Sequence, residues 1–207
     1  MTRPDESPFR HLVEHRLDSA TRLEGGFLTV LHDRVRLPDG QVATREYIRH
    51  AGAVAVLPLL DDGRVVLVHQ YRYPVGAVLL ELPAGKLDPQ ESTLACAMRE
   101  LREETGYVAA EWARAGAFHN AAAYSSEVIE IWFARGLTPG PTQLDAGEFV
   151  ETCTLSEAEY DAAAAAGRIS DMKTMIGLQW LQRWRAGHWP LQWAEAPAAP
   201  AADNRSR

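Results

Sequence analysis

The chain has 207 residues, with 28 Asp plus Glu against 21 Lys plus Arg and a formal net charge of −7. At 46% hydrophobic and 24% charged residues it has the composition of a globular protein, which at this length buries roughly 70% of its unfolded surface and needs neither disulfides nor a metal merely to fold. The acidic balance argues against a nucleic-acid backbone or an anionic membrane as main partner, so a phosphate-bearing substrate needs a cation between itself and the protein.

Only Cys96 and Cys153 are present, in neither a disulfide nor a metal-ligand pattern, which points to a reducing compartment and two small buried residues. The start, MTRPDESPFRH, lacks the apolar core of a signal peptide, and the most apolar stretch, 51–60, is about half a membrane span. The expected location is the cytoplasm.

Residues 1–8 and the Ala- and Pro-rich 194–207 are expected to be disordered. Between 9 and 50, three extended segments, the last two joined by Pro38-Asp39-Gly40, predict a small antiparallel β appendage. From Ala51 the pattern turns to dense apolar strands: AVAVLPLL, a turn at Asp61-Asp62-Gly63, RVVLVHQY, and VLLEL after Pro74-Val75-Gly76. A helix is predicted next, with Asp88 as N-cap, Pro89 at its first position, Glu91 completing a capping box and Gly106 as C-cap. Leu94, Met98 and Leu101 face the sheet and the opposite face is charged. Strands are expected at 112–119, 127–135 and 148–154, then a helix capped by Ser156 and a last helix from about Asp171 to Arg185. The main domain spans 51–193.

The end of the first long helix carries the chemistry. Glu100, Glu103 and Glu104 lie at i, i+3 and i+4, so their carboxylates share one face, where they repel one another and oppose the helix dipole. A solvated acidic face partly neutralised by Arg99 and Arg102 is one reading. The other is a divalent-cation site: carboxylate oxygens without Cys or His neighbours suit Mg²⁺ or Mn²⁺, whose open positions take phosphate oxygens.

The context decides between them. Gly85 to Tyr107 reads G-x5-E-x7-R-E-L-x-E-E-x-G-Y, and with each fixed residue at roughly 5–7% usage a chance match is on the order of one in ten million. The stretch resembles the Nudix box at every fixed position. The resemblance implies an α/β (α+β type) Nudix fold, a mixed β-sheet sandwiched between helices with the N-terminal antiparallel β appendage at 9–50, and an enzyme that hydrolyses nucleoside diphosphates linked to another group. By the same resemblance Glu100, Glu103 and Glu104 are metal ligands for Mg²⁺ with Mn²⁺ as substitute, the Ala84 carbonyl is a further ligand, and Arg99 and Glu91 support them.

Within the superfamily the chain looks like an ADP-ribose or related nucleotide-sugar pyrophosphatase. The matching segments are Thr44-Arg45-Glu46, His69-Gln70-Tyr71-Arg72, Glu81-Leu82-Pro83-Ala84-Gly85 and Gly167-Arg168-Ile169-Ser170-Asp171. This implies a homodimer built through the appendage, with Arg72 and the partner subunit's Arg45 contacting a nucleoside diphosphate sugar. Glu127 occupies a substrate-side position. Glu148 matches the loop glutamate that activates water, with Glu151 and Asp145 as rivals. One departure is His119-Asn120-Ala121-Ala122-Ala123-Tyr124, where Ala122 stands in place of a family proline. Tyr124 falls near a tyrosine of dinucleoside polyphosphate hydrolases, which makes that activity an alternative; a catalytically silent nucleotide sensor is another. No DNA-binding segment is evident in 1–50 or 190–207.

Overall fold

The computed structural model describes residues 8–197; the terminal segments 1–7 and 198–207, expected to be disordered, lie outside the described residues. The chain divides into two compact units, one of residues up to 52 together with 119–128, the other of 53–118 and 129 onward.

In the first unit, β1 (His15–Glu24), β2 (Thr29–Arg36) and β3 (Val42–Arg49) form an antiparallel meander in that order. The Pro38-Asp39-Gly40 turn joins β2 to β3: the Gly40 N–H donates to the Leu37 carbonyl at 2.9 Å, and a φ of +87° favours glycine there. Residues 119–128, read from sequence as part of the main domain, join this unit because the Ile48 N–H donates to the Tyr124 carbonyl and the Ser126 N–H to the Ile48 carbonyl.

In the second unit, β4 (Ala53–Pro58), β5 (Val65–Arg72), β6 (Ala77–Glu81) and β7 (Ala84–Lys86) precede α1 (Thr93–Thr105). Then come β8 (Val108–His119), β9 (Val128–Thr138), β10 (Val150–Leu155), α2 (Glu157–Ala165), α3 (Met172–Arg185) and β11 (Trp193–Glu195). They make a three-stranded sheet, β10-β5-β6, and a five-stranded one, β11-β8-β9-β4-β7, which is mixed because β4 runs parallel to β9 and antiparallel to β7.

Strand β4 is buried along its whole length because both faces are covered. Alternation sends Ala53, Ala55 and Leu57 into a core with Leu67, Phe133, Tyr160 of α2 and Leu178 and Leu181 of α3. Val54 and Val56 enter a second core with Cys96, Ala97 and Leu101 of α1 and Trp112 of β8. Sheet between helices is the architecture expected from the sequence.

The start of α1 differs from the sequence reading. Ser92 is the N-cap, its hydroxyl accepting from the Ala95 N–H at 3.2 Å. Asp88 and Glu91 instead form a turn in which Gln90 has a φ of +67°, and the Glu91 carboxylate is drawn to Arg99 at 2.9 Å. Gly106 ends the helix at a φ of +75° as expected. Ser156 caps α2 in a complete capping box with Glu159, and Asp171 caps α3. The Ala- and Pro-rich tail starts later than its composition suggests: β11 pairs with β8, Trp193 stacks near Trp184 at 5.7 Å, and the Arg135 guanidinium lies 4.1 Å over the Trp193 ring. Cys96 is buried and Cys153 half-buried, and burial pushes both thiols up. Among the described residues, no helix is long and apolar enough to cross a membrane.

Candidate active site

The site grows from the edge of the five-stranded sheet. Val54 pairs with Gly85 and Ala55 with Ala84, which lays the Ala84–Lys86 strand alongside β4 just before the chain enters α1. There it meets the carboxylate face of the helix. The Ala84 N–H donates to Glu104 Oε2 at 3.2 Å, and a Cβ added at Gly85 would lie 1.7 Å from Glu100 Oε1, so only glycine admits that carboxylate.

Two of the three carboxylates are therefore withdrawn from solvent, contrary to the reading of a solvated acidic face: Glu100 is 8% and Glu104 2% exposed. Burial pushes Glu104 up to about 8, with repulsion from Glu100 and Glu148 adding to it. Burial also raises Glu100, against the pull of Arg99 and with a further push from Glu103 and Glu148. Glu103 is more open.

Arg99 ties the cluster together. Its Nη1 donates to Glu100 Oε1 at 2.7 Å and Glu103 Oε2 at 3.0 Å, its Nε and Nη2 make a bidentate pair with Glu91, and Nη2 also reaches the Lys86 carbonyl. Its hydrogen bonds to Glu91, then the charge of Glu100 and the hydrogen bonds to Glu100 and Glu103, raise its pKa further against the effect of burial.

On the neighbouring sheet, β5 presents Gln70 and Arg72 on one face and His69 and Tyr71 on the other. Glu148 stands near Gln70, whose Nε2 approaches Oε1 at 3.5 Å, and the Asp145 N–H approaches Oε2 at 3.4 Å; both contacts are long, so the carboxylate is loosely held. Of the three candidate bases, only Glu148 has a charge that acts on both Glu100 and Glu104. Glu151 pairs with His69 in the β10–β5 register and shares its side of the sheet, whereas Thr152, one residue on, points back toward α1 and the Glu104 carbonyl. Asp145 is exposed.

Arg72 makes a bidentate pair with Glu81, both bonds 2.8 Å, and its Nη1 has no hydrogen-bond partner among the described residues. Glu81 is 1% exposed. Burial pushes its carboxyl up, but the hydrogen bonds from Arg72 and the charge of Lys173 outweigh this and hold it low. Lys173 donates to Glu81 Oε2 and lies 3.0 Å from Asp171. Gln70 and Glu81 stand in the sequence reading only as members of matching segments, without a role, Lys173 does not appear there, and nothing local connects positions 81 and 173.

Arg45, Tyr124 and Glu127 belong to the first unit. Arg45 pairs with Glu14 at 2.5 Å, Glu127 accepts from Asn120 at 2.8 Å and lies 3.6 Å from His50 Nε2, and the Tyr124 ring is exposed.

Among the described residues, no three His, Cys, Asp or Glu side chains form a ready-made metal cage; the Arg99 guanidinium stands between Glu100 and Glu103. The donor set nevertheless suits a hard divalent cation: all-oxygen, with two buried carboxylates, of which Glu100 shares Arg99 with two other acids, and a glycine cradle beside them.

Residues 49–173 match the family described as NUDIX domain, and residues 14–48 match the nucleoside diphosphate sugar hydrolase N-terminal domain. The chain is 39% identical over 152 residues to the methanol dehydrogenase activator of Bacillus methanolicus, covering 72% of this chain and 82% of the relative. It is 32% identical over 175 residues to the ADP-ribose pyrophosphatase of Bacillus subtilis, covering 84% of this chain and 95% of the relative. A crystal structure of an ADP compounds hydrolase shares the fold, with a TM-score of 0.76 at 23% identity over 84% of this chain and 95% of that one. With the family match spanning more than half its length, the chain belongs to the Nudix hydrolase family.

Proposed function

We propose that the protein hydrolyses the pyrophosphate bond of ADP-ribose, or of a related nucleoside diphosphate sugar, with Mg²⁺ as its working cation. The observation that carries this is the burial of Glu100 and Glu104 against the Gly85 loop with Glu148 acting on both. Relatives named for ADP-ribose cleavage, one of them matched over 95% of its length, support the substrate class.

Glu100, Glu103, Glu104 and the Ala84 carbonyl would hold the cation. When bound, it supplies Lewis-acid polarisation of the pyrophosphate oxygens and lowers the pKa of water. Arg72 binds the pyrophosphate anion through the Nη1 that Glu81 leaves open. Glu148, loosely held, takes the proton from the attacking water as its oxygen bonds to one phosphorus and the bridging P–O bond breaks, leaving AMP and ribose 5-phosphate. Arg99 acts as a strut, holding Glu100 and Glu103 against Glu91.

Arg45, Tyr124 and Glu127 stand as substrate contacts, and the cytoplasmic homodimer as the working form, by family resemblance. Screening ADP-ribose, other nucleotide sugars and diadenosine polyphosphates with product identification, in Mg²⁺ and in chelator, tests the whole reading. AMP plus ribose 5-phosphate, lost with chelator, is expected. Preference for a diadenosine polyphosphate, or turnover of none of them, would refute it.

A further inference from the structure

Arg72 presents a puzzle of charge. Both its Nε and its Nη2 are spent on Glu81, a carboxylate 1% exposed, so an incoming anion would meet an arginine already neutralised. The structure holds a second cation on the same acid: Lys173, at the start of α3, donates to Glu81 Oε2 with its side chain only 10% exposed. One residue later Thr174 Oγ1 accepts from the Leu82 N–H at 2.9 Å. The first turn of α3 therefore grips two consecutive residues of the segment leading to Ala84 and Gly85.

We propose that Lys173 is a positioning residue for substrate binding: by cancelling Glu81 it leaves the charge of Arg72 available to the pyrophosphate while Glu81 keeps the guanidinium in place. This rests on the assignment of Arg72 to the pyrophosphate. Glu81 fixes the orientation of Arg72, Lys173 restores its field, and Asp171, 3.0 Å from Lys173, sits on the far side as the helix cap. With Lys173 these four side chains are two cations against two acids; without it, Arg72 faces Glu81 and Asp171 with no second cation, and the charge of Glu104 acts on it as well. A pyrophosphate would then approach a net negative cluster rather than a neutral one.

The test is Mg²⁺-dependent ADP-ribose turnover by the full chain. K173M is expected to raise KM about tenfold with kcat within about twofold, the pattern of lost ground-state binding. K173R, which keeps the cation, should restore KM. E81Q/K173M removes acid and lysine together and should bring KM most of the way back, which a loss of helix packing would not do; thermal unfolding of each variant reports folding separately. An unchanged KM in K173M, or no recovery in the double variant, overturns the proposal. R72A separates the two layers. If R72A raises KM and K173M does not, only the role of Lys173 falls; if R72A leaves KM unchanged, the assignment of Arg72 falls and takes this inference with it.

Discussion

A buried carboxylate that lacks a cation destabilises the protein that contains it, and Glu104 makes this measurable. Its pKa stands at about 8 against the ordinary 4.5. A group whose folded pKa is raised contributes stability that is fully present below the unfolded pKa and is lost as pH climbs through the folded one. At about 1.4 kcal/mol per tenfold, the loss between pH 4.5 and pH 8 is at most about 5 kcal/mol, a large share of the roughly 5–15 kcal/mol that holds a typical domain together. Glutamine at this position has the same shape, an oxygen to accept from the Ala84 N–H, and no charge to bury. In chelator, E104Q should therefore match the wild type near pH 5 and exceed it in urea unfolding by several kcal/mol at pH 8. The difference between the two cancels the titrating groups that do not interact with Glu104; Glu100 and Glu148, which do, are relieved in the same sense when its charge is removed. Added Mg²⁺ should close the gap at pH 8 by stabilising the wild type and not the variant. A wild-type stability that is flat relative to E104Q from pH 5 to 8, or a variant less stable at pH 8, would refute the reasoning.

Three further outcomes are expected. E148Q should lower kcat about 100- to 10,000-fold while Mg²⁺ affinity, read by calorimetry, stays the same; unchanged kinetics would remove Glu148 as the base. G85A, whose Cβ would lie 1.7 Å from Glu100 Oε1, should cost about 100-fold in turnover by displacing that carboxylate, with circular dichroism showing the fold retained; wild-type turnover would show that the loop yields. S156A, which dismantles the capping box of α2, should cost about 1 kcal/mol in urea unfolding and leave kcat untouched.

How much of this could be read from the sequence follows the range of the forces involved. The carboxylate helix was legible because its chemistry is written at fixed helical spacing, and Gly106 and Ser156 were legible because a cap is a local bond. Asp88 misled for the complementary reason. Its capping box was locally sound, but Glu91 is held by Arg99 eight residues on, and the helix begins at the next available serine. The partnership of Glu81 with Lys173 spans 92 positions and leaves no periodic trace. Strand β11 was hidden by alanine and proline around it; what orders it is Trp193 against Trp184 and Arg135, contacts that composition does not reveal. Tertiary pairing, not propensity, decided each of these.

Strand β4 has one more consequence, for how the second unit opens. Its alternate side chains belong to two different cores, and its backbone is bonded on one edge to β9 and on the other to β7 and the Pro83 carbonyl. Neither core can melt while β4 stays in place, and β4 cannot leave without exposing both. The unit therefore has no cheap partial opening through its centre, and the amides of Ala55 and Val56 should exchange with solvent only on global unfolding. Gly85 is anchored to this strand through β7, so the carboxylates it touches should keep their places until the unit unfolds.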